Sequence, residues 1–365
     1  MYNIAVVFGG VTPEHSISII TAIGAIKNLS LNYNPVPIYI NTAGEWLTGK
    51  HLLDAESYHT EPKGKECFLK PNCSCLFTKN ALGYSKTPID CALLCLHGGL
   101  YEGGAVQGVL DLAGIPYTSP AILPSAVGMD KVVSKLLFKS LNILTPKFVW
   151  GESKNSDDLI FRVGKKLSFP LIVKPARCGS SVGIARVQNE EDLRRAVDNA
   201  GLFDDKIIIE EALSDCRELN VALMRSKGEV KVSSIEEIKC EHPIYSFEDK
   251  YSQTAEVERI VPASVSLKIM SKILNSATAV YDVLGMDGVV RFDFLIVGER
   301  VYLNEVNTIP GSLAFYLWKN EGLSFAQLLN ITIKNARARE ARMSVVQYNA
   351  AVLHDLDKIK TIMEK

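Results

Sequence analysis

The chain has 365 residues, which is too many for one ordinary hydrophobic core and predicts two or three subdomains. Its formal net charge is −1, so it lacks the basic field that holds nucleic acid or an anionic membrane, and a phosphate-bearing ligand needs a local site. No signal peptide is evident and no apolar run approaches the ~20 residues of a membrane span, so we expect a cytoplasmic protein.

The first third of the chain alternates strand-like and helix-like patterns. Buried strands are predicted for the segments YNIAVVFGG, PVPIYI and CALLCLHG. Helices are predicted for EHSISIITAIGAIKNL and for GAVQGVLDLAG, which Gly114 closes. This βαβ alternation predicts a parallel sheet covered by helices. Residues 54–86 show little periodicity and are expected to form a surface loop.

The rest of the chain predicts two further units that mix strands and helices. A linker from Pro116 to Pro124 leads into one amphipathic helix, PSAVGMDKVVSKLLFKSLN, and then into strands and a helix up to about residue 213. Beyond these lie two strands and a polar stretch from Cys240 to Glu258, which is long enough to be a mobile active-site loop. A long helix over Ser264–Leu284 and a hairpin turning at Gly298-Glu299 follow, and the final segment is expected to be helical.

The two strands of the predicted hairpin carry oxygen ligands at alternate positions. Arg291 and Asp293 share one face of the first strand, and Glu305 and Asn307 share one face of the second. Pairing across the turn brings Asp293, Glu305 and Asn307 together, and two carboxylates with an amide oxygen suit Mg²⁺. The alternative is a salt-bridged sheet face in which Arg291 neutralises the acids. The spacing alone leaves both interpretations open.

The segment KPARCGSSVG predicts a phosphate-binding turn. Lys174 closes an apolar strand, and the turn from Gly179 to Gly183 offers backbone N–H groups that can surround phosphate oxygens. The lysine precedes the glycines and no GK[ST] opens a helix, so this segment is not a P-loop. The alternative is a hairpin without a ligand.

Two features of the first hundred residues predict ligand contacts. In GGVTPEHSIS, Thr12 caps a helix, Pro13 takes its first position and Glu14 falls in the first turn. A carboxylate beside helix N–H donors can bind both charged ends of an amino acid. His97 lies at the carboxyl end of a strand, where open α/β sheets bind ligands. The alternatives are a helix start without a ligand and a structural histidine.

In their order along the chain, these motifs resemble those of the D-alanine–D-alanine ligase family within the ATP-grasp superfamily. The similarity extends from about Ile4 to Leu329, and its anchors are VFGG–EH, LHG–EGG–QG, AGIPYTS, SAVGMDK, IVKPA–GSSVG, DKY, RFDF and NEVNTIPG. The resemblance implies an α/β (α+β) chain of three subdomains. Residues 1–118 would contain an open parallel sheet, and residues 119–213 and 214–334 would clamp the nucleotide. The chain departs from the family at its end, because the segment after Arg337 exceeds the family's usual end, and residues 335–365 are expected to form a helical C-terminal extension.

The resemblance also implies an activity, the ATP-dependent ligation of two D-alanines through an acyl phosphate to supply D-alanyl-D-alanine for peptidoglycan precursors. The implied cofactors are ATP and two Mg²⁺ ions, with Mn²⁺ as a substitute. The implied partners are small amino acids and a second copy of the chain. The alternatives are a relative that joins D-alanine to D-serine or D-lactate, a ligase for another dipeptide in secondary metabolism, and an ATP-binding pseudoenzyme.

Residue roles are implied by the resemblance position by position. The ATP contacts would be Lys131, Lys174, Ser181, Glu210, Glu211, Leu213, Glu218 and Lys250. The metal ligands would be Asp293, Glu305 and Asn307. Glu14 would bind the ammonium of the first D-alanine and join Ser180 and Tyr251 in a hydrogen-bonded trio. Arg291 and the Gly311 N–H would stabilise the oxyanion. His97 would line the substrate site.

The segment after Gly311 departs from the family. Its members typically place a serine–leucine pair a few residues after NT-PG, and that pair grips the carboxylate of the second D-alanine. Here Tyr316 and Leu317 occupy the position of the pair, and Ser312 lies four residues earlier. Either the Tyr316 hydroxyl replaces the serine with Leu317 as the apolar wall, or Ser312 reaches the carboxylate.

Overall fold

The computed structural model describes residues 1–240 and 257–339, which form three sheets and the helices that cover them. The strands are β1 (Tyr2–Gly9), β2 (Tyr33–Ile40), β3 (Trp46–Thr48), β4 (Lys65–Lys70), β5 (Cys73–Asn80), β6 (Gly83–Pro88), β7 (Cys91–Leu94), β8 (Phe148–Glu152), β9 (Leu171–Pro175), β10 (Ala185–Val187), β11 (Lys206–Glu211), β12 (Arg217–Ser226), β13 (Glu229–Val232), β14 (Glu236–Cys240), β15 (Val257–Ile260), β16 (Val290–Val297) and β17 (Arg300–Asn307). The α-helices are α1 (His15–Asn28), α2 (Gly99–Glu102), α3 (Ala105–Ala113), α4 (Ile122–Met129), α5 (Lys131–Ser140), α6 (Ser156–Lys166), α7 (Glu190–Gly201), α8 (Leu267–Val283) and α9 (Phe325–Ala338). The 3₁₀ segments are Lys50–Leu53, Ala55–Tyr58, Ser153–Asn155 and Gly311–Glu321.

Four predictions fall wholly or mostly outside these ranges. They concern Lys250, Tyr251, most of the predicted active-site loop and most of the predicted C-terminal extension. At the margins of that loop, the structure places Cys240 in β14 and Val257 and Glu258 in β15.

The first sheet has seven strands in the order β6-β5-β4-β3-β2-β1-β7. β1 runs parallel to β2 and β7, as the βαβ pattern predicted, and the other neighbours are antiparallel. The expectation of a surface loop over residues 54–86 is wrong, because β4, β5 and β6 form an antiparallel ribbon there. Most side chains of β4 and β6 are exposed, so these strands bury little apolar surface and leave no clear alternating pattern in the sequence.

The second sheet is antiparallel, in the order β10-β9-β11-β8. The helices α6 and α7 pack against it and against each other. Asn189 begins α7, because its side chain accepts the Asp192 N–H at 2.9 Å and acidic residues fill the first turn. The glycine-rich turn predicted from the sequence connects β9 to β10 at one edge of this sheet.

The amphipathic helix predicted for residues 124–142 is in fact two helices. The Asp130 side chain accepts the N–H groups of Val132 and Val133 at 3.0 and 3.1 Å, so it ends α4 and begins α5. Lys131 is therefore the first residue of a helix rather than a position in the middle of one. Both helices pack against β17 of the third sheet.

The third sheet has the order β15-β14-β12-β16-β17, with β13 paired to β12. β16 and β17 form the predicted hairpin, and Gly298 takes a left-handed φ of 58° in its two-residue turn. One face of the hairpin packs Phe292 and Phe294 against Ile273 and Val280 of α8. Because side chains alternate along a strand, the residues next to these phenylalanines point to the other face.

The first hydrophobic core joins the two ends of the described chain. Ile4 and Val6 of β1 share it with Leu317, Trp318 and Ile333, which belong to the last 3₁₀ segment and α9. The C-terminal helix therefore packs under the N-terminal sheet and holds the loop after β17 beside N-terminal residues. In the part of the chain that the structure describes, no helix has the length and apolar character that a membrane span requires.

Candidate active site

A row of polar side chains crosses the face of the third sheet opposite α8. Asn220 on β12 pairs with Glu236 on one side and with Asp293 on the other, and Asp293 pairs with Glu305. Directly paired residues point to the same face, so these four side chains form one row. Sequence reasoning placed Asp293 and Glu305 on this face but missed Asn220 and Glu236, although the alternation of the segment ELNVALM marks Asn220.

Arg291 and Asn307 lie opposite each other beside this row. Arg291 Nε and Nη2 donate to the two carboxylate oxygens of Asp293 at 2.7 and 2.8 Å, and Asn307 Nδ2 donates to Asp293 at 2.9 Å. Burial alone would lower the pKa of Arg291, but Asp293 raises that pKa well above its ordinary value. The guanidinium therefore stays charged beside the carboxylate.

The donor set of Asp293, Glu305 and Asn307 fits Mg²⁺. Across residues 1–240 and 257–339, no three His, Cys, Asp or Glu side chains form a metal cluster, so a cation here would also use the amide oxygen and phosphate oxygens. Mg²⁺ is usually bound in this way, through one or two carboxylates and the phosphates of a substrate. The same face also contains an ion pair between Arg291 and Asp293, which is the salt bridge that the alternative interpretation of the sequence predicted.

Glu14 and Ser180 meet although 166 residues separate them in the chain. Ser180 Oγ donates to the Glu14 carboxylate, as expected for two members of the trio whose third member, Tyr251, is outside the described residues. A Cβ atom at Gly179 would clash with the same carboxylate, so the close approach requires glycine. Ser180 and Ser181 both take left-handed φ angles, 49° and 60°.

The helix after Glu14 begins later than predicted. α1 starts at His15, so Pro13 is not its first residue and Glu14 precedes the helix. The Thr12 hydroxyl accepts the Glu14 N–H at 3.1 Å and is used in the turn before the helix. Glu14 is nevertheless almost buried and faces the glycine-rich turn.

Lys174, Glu210 and Lys135 form a buried ion-pair triad. Lys174 Nζ lies 2.7 Å from one carboxylate oxygen of Glu210, and Lys135 Nζ lies 3.0 Å from the other. Burial would raise the pKa of Glu210, but the two lysines lower it to about 2, while burial lowers the pKa of Lys135 to about 8. Sequence reasoning missed Lys135, because a lysine on an amphipathic helix is normally exposed.

Other predicted ATP contacts lie on α5, at the end of β11 and on or before β12. Lys131 donates through its backbone N–H to the Ala176 carbonyl at 3.0 Å and through Nζ to the Cys178 carbonyl, which ties α5 to the glycine-rich turn. Glu211 ends β11, and its carboxylate accepts the Lys147 N–H at 2.8 Å. Leu213 lies in the connection to β12, and Glu218 lies on β12 two residues before the Asn220 row.

A buried carboxylate to which sequence reasoning assigned no role holds the loop after β17. Glu102 accepts the N–H groups of Thr308 and Ile309, both at 3.0 Å, the Thr308 hydroxyl at 3.1 Å and the Gly98 N–H at 3.1 Å. Its neighbour His97 is buried, and its Nε2 lies 2.9 Å from Thr21 Oγ1. Burial lowers the pKa of His97, so a neutral imidazole is favoured.

The predicted second-substrate residues begin in an unusual turn. Ser312 follows Gly311 with a left-handed φ of 50°, and its N–H donates to Thr21 Oγ1 at 3.0 Å. The Tyr316 ring centre lies 5.4 Å from the guanidinium carbon of Arg259, and burial raises the pKa of the Tyr316 hydroxyl. Leu317 is completely buried in the first hydrophobic core, so in this structure it does not form a wall of the cavity.

One cavity collects about half of the predicted residues. Those lining it are Glu14, His97, Lys131, Ser180, Glu218, Arg291, Asp293, Glu305, Asn307 and Gly311. Those not lining it are Lys174, Ser181, Glu210, Glu211, Leu213, Ser312, Tyr316 and Leu317. Its lining also includes Glu102, Asn220, Ile238 and Arg259, which sequence reasoning missed.

A glycine-rich turn on one antiparallel sheet that faces a row of carboxylates on another is the arrangement of an ATP-grasp ligase. Family models cover most of this chain. Residues 3–120 match the one described as D-ala D-ala ligase N-terminus, and residues 137–334 match the one described as D-ala D-ala ligase C-terminus. The chain therefore belongs to the D-alanine–D-alanine ligase family, as the motifs predicted.

Curated relatives and solved structures agree with this assignment. The chain is 36% identical over 359 residues to the D-alanine–D-alanine ligase of Thermosipho melanesiensis, across 97% of this chain and 98% of the relative. Among solved structures, D-alanyl-alanine synthetase A from Vibrio cholerae has a TM-score of 0.79 at 26% identity, covering 93% of this chain and 99% of that one. The VanG D-Ala:D-Ser ligase from Enterococcus faecalis has a TM-score of 0.79 at 27% identity, covering 91% and 98%. The predicted ATP-grasp fold and the ligase class are confirmed.

Proposed function

We propose that the protein is a cytoplasmic ligase that joins two D-alanines with hydrolysis of ATP to ADP, supplying D-alanyl-D-alanine for peptidoglycan precursors and so for the cell wall. The single observation that carries this proposal is the polar face on which Arg291, Asp293, Glu305 and Asn307 line the same cavity as Glu14. One side of this cavity suits a metal and phosphates, and the other suits an amino acid. The names of the curated relatives support the same substrate.

The proposed cofactors are ATP and two Mg²⁺ ions, with Mn²⁺ as a substitute. Asp293, Glu305 and Asn307 would hold the metal, and Lys131 and Lys174 would neutralise the phosphates. The remaining proposed ATP contacts are Ser181, Glu210, Glu211, Leu213, Glu218 and Lys250. Bound Mg²⁺–ATP supplies the phosphoryl group that activates a substrate carboxylate. A solved relative from Bacillus anthracis is complexed with ATP and has a TM-score of 0.67 at 25% identity, covering 94% of this chain and 99% of that one, which supports the cofactor.

The protein's own groups would do three things for the reaction. The Glu14 carboxylate, fixed by Ser180, would orient the ammonium of the first D-alanine. Arg291 and the Gly311 N–H would stabilise the oxyanion formed when the second amine attacks, and one such donor is typically worth about 3–4 kcal/mol. The hydrogen bonds from Thr308 and Ile309 to Glu102 would keep Gly311 in position.

The test is phosphate release with ATP, Mg²⁺ and a panel of D- and L-amino and hydroxy acids, alone and in pairs. We expect D-alanine alone to release phosphate and to appear as the dipeptide. D-Serine or D-lactate as a better second substrate would favour the alternative ligases. Phosphate release only with L-amino acids would overturn the assignment and leave the ATP-grasp fold intact, while binding of ATP without any ligation would indicate a pseudoenzyme.

We also propose an assembly and a division of the chain. The three sheets support subdomains at residues 1–118, 119–213 and 214–334, with residues 335–365 as an extension. A homodimer is supported by exposed leucines on the packed helices α2, α3 and α4, which are Leu100, Leu112 and Leu123. Exposed leucines on neighbouring helices supply apolar area that a protein–protein interface would bury.

A further inference from the structure

Arg259 is a basic residue of the cavity that has no role in the reaction described above. Within the described ranges, the lysines and arginines that line the cavity are Lys131, Arg259 and Arg291. Lys131 donates to a carbonyl of the glycine-rich turn, and Arg291 binds both oxygens of Asp293. Arg259 lies on β15 and reaches the same cavity from the edge of the third sheet.

A buried carboxylate fixes the position of Arg259. Arg259 Nη1 donates at 2.9 Å to Glu236, whose side chain is completely buried at the end of the Asn220 row. The guanidinium carbon lies 5.4 Å from the centre of the Tyr316 ring. The Arg259 side chain is 42% exposed, so a small ligand in the cavity can contact it. A guanidinium held on one side by a carboxylate loses less rotamer entropy when it binds a second one.

The roles assigned above leave the carboxylate of the second amino acid without a cationic partner. That amino acid must present its amine to the acyl phosphate while the cavity holds its carboxylate. Arg291 is occupied with Asp293 and the oxyanion, and Lys131 is assigned to the phosphates. Leu317, which stands where the family's serine–leucine pair is expected, is buried in the hydrophobic core. Arg259 lines the same cavity as Arg291, and its guanidinium carbon lies 5.4 Å from the ring of Tyr316, which stands at the other expected position of that pair.

We propose that Arg259 binds the carboxylate of the second amino-acid substrate, with Glu236 as the residue that positions it. This inference rests on the proposed ligase function and names the residue that selects an acceptor with a free carboxylate. The charges then alternate across the site, from Glu236 to Arg259, to the substrate carboxylate and to Arg291. Without Arg259, the buried Glu236 carboxylate would repel the substrate.

The test separates the two D-alanine sites kinetically. In Arg259→Gln we expect the KM for the second D-alanine to rise by about tenfold or more, because a charge-assisted hydrogen bond is lost. The KM values for ATP and for the first D-alanine should stay near those of the wild type. The wild type should prefer D-alanine to D-alaninamide as acceptor, and Arg259→Gln should lose this preference. Arg259→Lys should keep part of the preference for D-alanine, because lysine retains the positive charge but cannot donate two parallel hydrogen bonds to a carboxylate.

Two further variants distinguish loss of substrate binding from a general structural effect of removing the Arg259 charge. Arg217→Gln is the matched control, because Arg217 also forms an Arg–Glu pair between β12 and β14, with Glu237 at 2.7 Å, but on the opposite face of the sheet. It should leave the acceptor preference unchanged. The double variant Glu236→Gln/Arg259→Gln removes both charges, so it should melt near the wild-type temperature and still show the raised second KM.

The outcomes separate this inference from the proposed function. A wild-type protein that forms no dipeptide from D-alanine overturns the proposed function. A wild type that forms the dipeptide, with Arg259→Gln and the double variant both retaining the wild-type second KM and acceptor preference, overturns only the role of Arg259. An equal rise in the first and second KM values would also overturn it.

Discussion

Glu305 lies directly across the hairpin from Asp293 and lines the cavity. We expect Glu305→Gln to abolish ligation while the protein stays folded, because the change removes one negative charge from the proposed Mg²⁺ site and keeps the shape of the side chain. Phosphate release and a melting curve measured on the same sample decide the matter. Glu299→Gln, in the exposed turn of the same hairpin, is the control and should stay active. Near-normal turnover of Glu305→Gln at saturating Mg²⁺ would place the metal elsewhere.

Tyr316 and Ser312 are the two candidates for a hydroxyl at the second-substrate site. The Tyr316 ring lies beside the guanidinium of Arg259, whereas the Ser312 N–H donates to Thr21 Oγ1. We therefore expect Tyr316→Phe to raise the KM for the second D-alanine far more than the KM for the first, because only the second site loses a donor. Ser312→Ala is the matched comparison and should change neither value. A larger effect from Ser312→Ala would reverse the choice.

At the scale of single residues, alternation along strands predicted which side chains share a face but not what they contact. It placed Asp293, Glu305 and Asn307 together, but the two-residue turn alone would pair Asp293 with Asn304. A β-bulge between Asp293 and Phe294 shifts the register so that Asp293 lies opposite Glu305, and the sequence pattern did not reveal that bulge. It could not place Arg259 beside Glu236, because their pairing depends on how two strands meet after a long connection. Lys135 was missed for a related reason: only the packing of α5 shows that its ammonium points toward Glu210.

The buried triad on α5, β9 and β11 leads to a prediction about the free energy of unfolding. Glu210→Gln would leave the ammonium groups of Lys135 and Lys174 facing each other in the interior, and breaking a buried ion pair typically costs about 3–5 kcal/mol. Lys135→Met leaves one lysine and one carboxylate, so its free energy of unfolding should fall less. Urea unfolding of both variants gives the comparison. An equal or larger loss in Lys135→Met would contradict this account of the triad.

The same triad gives stability a defined pH dependence. The folded-state pKa of Glu210 is about 2, below its ordinary value of 4.5, so its carboxylate stabilises the protein above pH 4.5. That contribution is lost as pH falls from 4.5 toward 2.

At the scale of elements, the helices and strands that bury an apolar face could be predicted from the sequence. The helix closed by Gly114, the hairpin at Gly298 and the parallel pairing of β1 were all confirmed. The ribbon of β4 to β6 was not predictable, because strands that are exposed on most positions need no apolar alternation. The split between α4 and α5 depends on one aspartate that caps a helix, and the continuous apolar pattern concealed it.

For the whole molecule, the proposed homodimer gives a prediction at the surface. Leu112 and Leu123 are 65% and 67% exposed, on α3 and α4. We expect the double variant Leu112→Glu/Leu123→Glu to sediment as a monomer, because four buried carboxylates would face each other across a symmetric interface. Leu267→Glu changes a leucine that is 83% exposed on α8 and should leave the mass unchanged. A wild type that is monomeric at micromolar concentration would contradict the dimer.

The hydrogen bonds of Glu102 also bear on how the chain folds during synthesis on the ribosome. Thr308, which satisfies Glu102, is translated 206 residues after it, and α9, which completes the first core, is translated later still. Until then the emerging N-terminal sheet has a carboxylate that lacks three of its four protein hydrogen-bond donors, and an uncovered apolar face, so we expect a ribosome-bound or truncated chain to bind chaperones. The groups that would stabilise the oxyanion are assembled only when almost the entire described chain has been made.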